Sequence, residues 1–287
     1  MSAEAPADRP LAATEPVPGA PKPAPVLVVD GVRRTFGGLV AVDVGHLEVQ
    51  RGSITALIGP NGAGKTTLFN LLTGFDRPDA GTWSLDGRPI HRLGAHRIAR
   101  LGMVRTFQLT RALARMTVLE NMLLAAPRQR GERFLTAFVP RLWRDEETAA
   151  EERALELLAR VQLVEHRDSY AGTLSGGQRK LLELARALMV EPSVVMLDEP
   201  MAGVNPVLAE SLLHHVTALR DEGRTVVFVE HDMDVVQSIS DWVVVLAEGR
   251  LVAEGPPGHV AADPVVIDAY LGTHHAEQRA ERAERAP

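Results

Sequence analysis

Short runs of β-branched and aliphatic residues punctuate the chain at Val26–Val29, Ile54–Ile58, Val194–Leu197, Thr225–Val229 and Val243–Leu246. Several are apolar at almost every position, the pattern of parallel strands covered on both faces. Between them, Thr66–Leu72, Gln178–Met189 and Leu208–Glu222 carry apolar residues at helical spacing. Strands alternating with helices predict an α/β domain with a covered sheet. The stretch from about Arg111 to Met189 breaks the alternation. It has few strand signals, and Glu146–Val161 reads as an amphipathic helix through Ala150, Ala154, Leu157, Leu158 and Val161. A helical subdomain, about residues 111–190, is therefore expected inside the α/β core. Residues 1–25 hold seven prolines and seven alanines but almost no large apolar side chain, which predicts a disordered or extended tail. Residues 273–287 run through alternating Ala, Glu and Arg and predict a second, charged tail, leaving 26–272 as the folded part.

Composition removes several function classes. At 287 residues and 45% hydrophobic content, the chain can form one large domain or two small ones. The 31 Lys and Arg against 37 Asp and Glu give a net charge of −6, and a nucleic-acid surface would show the opposite bias. Three Trp, two Tyr and seven Phe are too few for a base-stacking platform. With no cysteine there is no disulfide, thiolate nucleophile or Cys-ligated zinc, and the ten histidines form no HExxH-type pair. The longest stretch without a charge, Gly52–Gly64, contains four glycines, whereas a membrane-spanning helix needs about 20 apolar residues. With no apolar signal core near the N-terminus either, a soluble intracellular protein is expected.

Three motifs carry chemistry. Gly59-Pro60-Asn61-Gly62-Ala63-Gly64-Lys65-Thr66-Thr67 fits G-x-x-x-x-G-K-[ST], with a strand before it and a helix after. Glycines let the backbone approach phosphates and aim its N–H groups at them. Lys65 adds a charge at the β- and γ-phosphates, and the Thr66 hydroxyl is placed to ligate Mg²⁺. Val194–Leu197 then delivers Asp198 and Glu199 to the C-terminal end of a buried strand, where ligands sit in open α/β sheets. Asp198 would hold Mg²⁺, directly or through water, and Glu199 would act as general base on the attacking water. The third motif is Leu174-Ser175-Gly176-Gly177-Gln178. Ser175 and Gln178 satisfy a helix capping box, and the same helix start presents free N–H groups to an anion. Both roles can hold at once.

With these motifs in order, and Gln108 and His231 at matching places, residues 26–272 resemble the ATP-binding cassette (ABC) ATPases. The resemblance implies a P-loop α/β core of RecA-like type, an inserted helical subdomain and an N-terminal antiparallel β portion. It implies ATP and Mg²⁺ as ligands and a head-to-tail dimer with two ATPs between the chains. Ser175 and Gly177 of one chain would then touch the γ-phosphate held by the other. By the same resemblance Phe36 stacks on adenine, with a core Phe as the plainer alternative. Gln108 senses Mg²⁺ and links the site to a transmembrane partner, and His231 contacts the γ-phosphate. Where many members read Ser-Ala-Leu-Asp after the catalytic Glu, this chain reads Ala202-Gly203-Val204-Asn205, which keeps hydrogen bonding but loses a charge.

The variant turn, with Arg105-Thr-Phe-Gln108, Met116–Asn121, Glu230-His-Asp-Met233 and Asp268-Ala-Tyr-Leu-Gly272, resembles the ATP-binding subunits of branched-chain amino acid importers. Such a subunit works peripherally on the cytoplasmic membrane face, with permease subunits, a second cassette (self or paralogue) and, indirectly, an extracytoplasmic substrate-binding protein. A lipopolysaccharide-type or a urea/amide transporter is an alternative, and a non-transport cassette ATPase is one from another class. Outside the shared motifs, Arg128–Arg144 holds five arginines against Glu132, with Phe134, Phe138 and Leu142 at helical spacing. It reads either as an insertion packed on the helical subdomain or as a face toward anionic lipid or the permease.

Overall fold

The computed structural model describes residues 11, 14–106, 113–127 and 144–270. Two long strands open the fold, β1 (Pro25–Phe36) and β2 (Leu39–Gln50), paired antiparallel. The remaining strands are β3 (Ile54–Ile58), β4 (Ala80–Leu85), β5 (Arg88–Pro89), β6 (Met103–Thr106), β7 (Val194–Asp198), β8 (Thr225–Val229), β9 (Trp242–Ala247) and β10 (Arg250–Gly255). The helices are α1 (Lys65–Leu72), α2 (Ala95–Arg100), α3 (Val118–Leu123), α4 (Arg144–Arg160), α5 (Gly176–Leu188), α6 (Pro206–Asp221), α7 (Met233–Ile239) and α8 (Pro257–Ala261). They surround two sheets, an antiparallel one in the order β2-β1-β4-β5 and a larger one in the order β10-β9-β3-β8-β7-β6. The larger sheet is parallel from β9 to β6, with only β10 antiparallel.

Period-2 alternation divides the larger sheet between two cores. Ile54, Ala56, Ile58, Val195, Leu197, Val226 and Phe228 face helices α3 to α8. Leu57, Val194, Met196, Val227 and Val229 face the other way, onto α1, α2 and the apolar side of the antiparallel sheet. Every residue of β3, β7 and β8 is buried, as their unbroken apolar runs require. The fold is the expected mixed α/β arrangement with an N-terminal antiparallel portion. Between Leu113 and Met189 the described residues form α3, α4, α5 and short 3₁₀ turns, with one isolated bridge, Thr117 to Tyr170.

The N-terminal segment departs from expectation. Composition predicts a disordered or extended stretch through residue 25, yet residues 14–24 are packed on the domain. Lys22 and Glu254 form an ion pair at 2.9 Å whose side chains are 1% and 0% exposed. The Lys22 ammonium also donates to the Ala20 carbonyl and lies 4.4 Å from the centre of the Trp242 ring. Ala20 donates its backbone N–H to Glu254. One buried charge pair anchors a segment whose single buried apolar side chain is the small Ala20. The Arg128–Arg144 segment lies outside the described residues apart from the Arg144 backbone, as does the expected tail at 273–287.

Candidate functional site

The buried strand β3 ends at Ile58, and the glycine loop turns directly into α1. Two glycines there are obligatory. At Gly59 (φ +150°) a Cβ would sit 2.0 Å from the Leu246 carbonyl oxygen, and at Gly64 (φ +97°) 2.2 Å from that of Ala41. The Ala63 side chain is buried beneath the loop. No side chain caps α1, so its first-turn N–H groups are left for an external acceptor, together with the positive end of the helix dipole. Lys65 donates to the Gly59 and Pro60 carbonyls at 2.7 and 2.9 Å. Burial pushes its pKa down, and the Glu199 and Asp198 charges act in the opposite sense. Thr66 and Thr67 follow on the same turn.

The two carboxylates at the end of β7 are unlike each other. Asp198 is buried and meets Arg105 Nη2 at 2.5 Å, each side chain 5% exposed. Arg105 also donates to Asn70 on α1 and lies over the rings of Phe69 and Phe75. Glu199 is exposed, and its backbone is left-handed (φ +49°), which for a non-glycine residue costs about 1–2 kcal/mol. One carboxylate is thus fixed and the next faces solvent. Beyond β8, Glu230 is buried; one oxygen accepts from the Met201 N–H at 2.9 Å and the other from the His231 N–H at 3.3 Å. Desolvation raises the Glu230 pKa, against those two hydrogen bonds and the His231 charge. The His231 ring is 68% exposed beside it.

Ser175 caps α5. Its hydroxyl accepts from the Gln178 N–H at 3.2 Å, while Gln178 Oε1 accepts from the Ser175 N–H at 2.9 Å. That capping box leaves the N–H groups of Gly176 and Gly177 at the helix start for another acceptor. The two glycines differ. A Cβ at Gly176 would meet nothing within 4 Å, but one at Gly177 would sit 1.5 Å from Leu208 Cδ2 of α6. Gly177 therefore has a packing reason within its own chain. Asn205 caps α6, accepting from the Leu208 N–H at 3.0 Å.

Phe36 ends β1 half-exposed, outside the core, with the Arg34 guanidinium 4.6 Å from its ring centre. Gln108 lies outside the described residues. Four residues enter the site without having been singled out for a role in it: Arg105, Lys180, Glu230 and Tyr270. Arg105, Glu230 and Tyr270 stand in stretches that mark the branch resemblance, but nothing in those stretches names their partners. Burial raises the Tyr270 pKa, partly offset by a hydrogen bond with the Gly59 backbone. A cleft of about 440 Å³ opens between α2, β6 and α5, lined by Phe75, His96, Arg105, Thr106, Glu183 and Arg186 among others.

The donor set suits Mg²⁺ bound with a nucleotide. The described residues contain no cluster of three or more His, Cys, Asp or Glu that would cage a metal alone. A single carboxylate and a hydroxyl beside a phosphate cradle are what Mg²⁺ uses when phosphate oxygens complete its shell.

A family model described as ABC transporter matches residues 42–202. A second, described as Branched-chain amino acid ATP-binding cassette transporter, matches residues 250–276. The chain is 46% identical to the high-affinity branched-chain amino acid transport ATP-binding protein BraF of Pseudomonas aeruginosa, covering 86% of this chain and 98% of that one. It is 41% identical to LivG of Escherichia coli, a protein of the same description, over 86% and 98% of the two chains. Its fold is similar to the crystal structure of a nucleotide-free ATP-binding cassette from an ABC transporter, with TM-score 0.74, 37% identity and coverage of 86% and 98%.

Proposed function

The chain belongs to the ABC transporter family of ATP-hydrolysing cassettes, and from that premise we propose that it powers import of branched-chain amino acids as half of a head-to-tail dimer. The single observation that carries the ATPase reading is the uncapped start of α1, beside Lys65 and facing the two carboxylates of β7. The match over residues 250–276 and the names of the relatives support the branched-chain substrate.

In this reading the loop N–H groups after Pro60 and the start of α1 bind the β- and γ-phosphates, and Lys65 leaves its loop carbonyls for them. Thr66 and Asp198, with Gln108, hold Mg²⁺; the ion, when bound, offsets the charge of the phosphate oxygens. Glu199 accepts the proton of the attacking water. His231 contacts the γ-phosphate from beyond β8, and Phe36 stacks on the adenine. Ser175 and the Gly176 and Gly177 N–H groups of a second chain close over the same phosphate, with Gln178 holding the helix cap. Closure draws the helical subdomains together, and hydrolysis reopens them.

No helix among the described residues is long and apolar enough to cross a membrane. By its likeness to transport ATP-binding proteins, the chain works peripherally on the cytoplasmic membrane face, with permease subunits and a substrate-binding protein acting through them. The test is uptake of labelled leucine, isoleucine or valine into proteoliposomes holding the permease, a second cassette and this chain. ATP-dependent uptake that disappears with Glu199→Gln supports the reading. Uptake of urea or amides instead, with no response to branched-chain amino acids, refutes the substrate assignment.

A further inference from the structure

We propose that Lys180 is a positioning residue for hydrolysis: it ties the turn that carries Glu199 to the signature helix α5. The placement of the base then follows the position of Ser175–Gln178. The proposal rests on the reading of Glu199 as general base.

Lys180 is five residues past the helix cap and reaches across to the turn after β7. Its ammonium donates to the carbonyls of Glu199, Pro200 and Ala202 at 3.2, 2.9 and 2.5 Å. An ammonium has three donors, and three carbonyls of one turn receive them. On the other side, Glu230 accepts from the Met201 N–H, and the Glu199 N–H donates to the Val229 carbonyl at 3.1 Å. A half-buried cation and a buried anion thus grip the same turn from opposite directions. The turn's own bonds, from the Ala202 and Val204 N–H groups, are 3.2 Å long. Burial lowers the Lys180 pKa, while Glu230, Glu183 and Glu199 hold the charge in place.

Glu199 keeps its left-handed backbone only while its surroundings hold it there. Lys180 is the hydrogen-bonded contact through which α5 can do so. When Ser175 and the helix N–H groups engage a second chain's nucleotide, α5 shifts or stiffens, and Lys180 passes that to the carbonyls beside Glu199. The turn runs on to Asn205, the cap of α6, and the Leu208 side chain of α6 meets Gly177. The signature start, the base and α6 accordingly form one connected body.

The test uses the full chain with Lys180→Met and the milder Lys180→Gln, each alone and combined with Glu199→Gln. ATP affinity is followed by equilibrium binding and hydrolysis by single-turnover phosphate release. Misplacing a catalytic group by about 1 Å costs about a hundredfold in rate. Each Lys180 variant should therefore lose about tenfold to a hundredfold in kcat, with ATP affinity within about twofold. In the Glu199→Gln background the Lys180 change should slow hydrolysis no further, because the group it positions is already disabled. An unchanged kcat, a parallel loss of affinity, or losses that multiply in the double variant would each overturn the proposal. Wild-type turnover by Glu199→Gln alone would instead overturn the reading beneath it.

Discussion

Arg105→Met tests whether the Asp198 carboxylate depends on its buried partner. Methionine keeps an apolar stem against Phe69 and Phe75 and deletes the guanidinium. An exposed pair would contribute at most about 1 kcal/mol. This pair is 5% exposed on both sides, and removing one partner strands the other carboxylate, which costs about 3–5 kcal/mol. Loss of the Asn70 hydrogen bond adds about 1 kcal/mol. At about 2–4 °C per kcal/mol for a chain of this size, the nucleotide-free melting temperature should fall by about 10–20 °C. Asp198→Asn combined with Arg105→Met removes the stranded charge and should recover more than half of the loss. The assay is thermal denaturation by circular dichroism of wild type, both single variants and the double variant. If Arg105→Met melts within about 2 °C of wild type, or the double variant shows no recovery, the pair is not structural in the way its burial argues.

Gly176→Ala should leave the melting temperature unchanged, because its Cβ enters open space, and should abolish hydrolysis if this face meets a second chain's phosphate. Gly177→Ala should cost about 1–3 kcal/mol through overpacking against Leu208, and Leu208→Ala should relieve that clash. Lys22→Met should destabilise by about 3–5 kcal/mol, measured by urea unfolding, because Glu254 is left buried without its cation; Lys22→Met with Glu254→Met should restore most of it. His215 has its pKa lowered from 6.5, first by burial and then by the Arg160 and His214 charges. The unfolded chain therefore takes up this proton first. The stability from a neutral His215 is complete above pH 6.5 and is lost as pH falls through 6.5 toward the lower folded value. His215→Leu should flatten that acid slope in denaturation curves, and an unchanged slope would assign it to other groups.

What local pattern reveals is what local physics decides. Strands β3, β7 and β8 were legible because burial on both faces leaves an uninterrupted apolar run, and α5 because its apolar stripe begins at a capping box. The β1–β2 hairpin was only partly legible. One face meets water, so Asp30, Arg33 and Arg34 interrupt β1, and Gly45 interrupts the alternation of β2. The packed N-terminal segment was invisible to composition, which counts apolar side chains and cannot see a lysine reaching an acid 232 positions away. The same limit governs the site. Glycines and carboxylates announce themselves through fixed spacing, because one loop and one strand end hold them. Arg105 and Lys180 draw their meaning from partners 93 and about 20 positions distant, a relation that only the folded sheet creates.

The central claim is that ATP is hydrolysed at this site with Glu199 as the base, and phosphate release by wild type and Glu199→Gln tests it most directly. Glutamine keeps the shape and hydrogen bonding of the side chain but cannot accept the proton. Hydrolysis should fall by about 10²–10⁴-fold while ATP binding, measured on the same samples, stays the same. Phosphate release by the Gln variant at the wild-type rate would contradict the account.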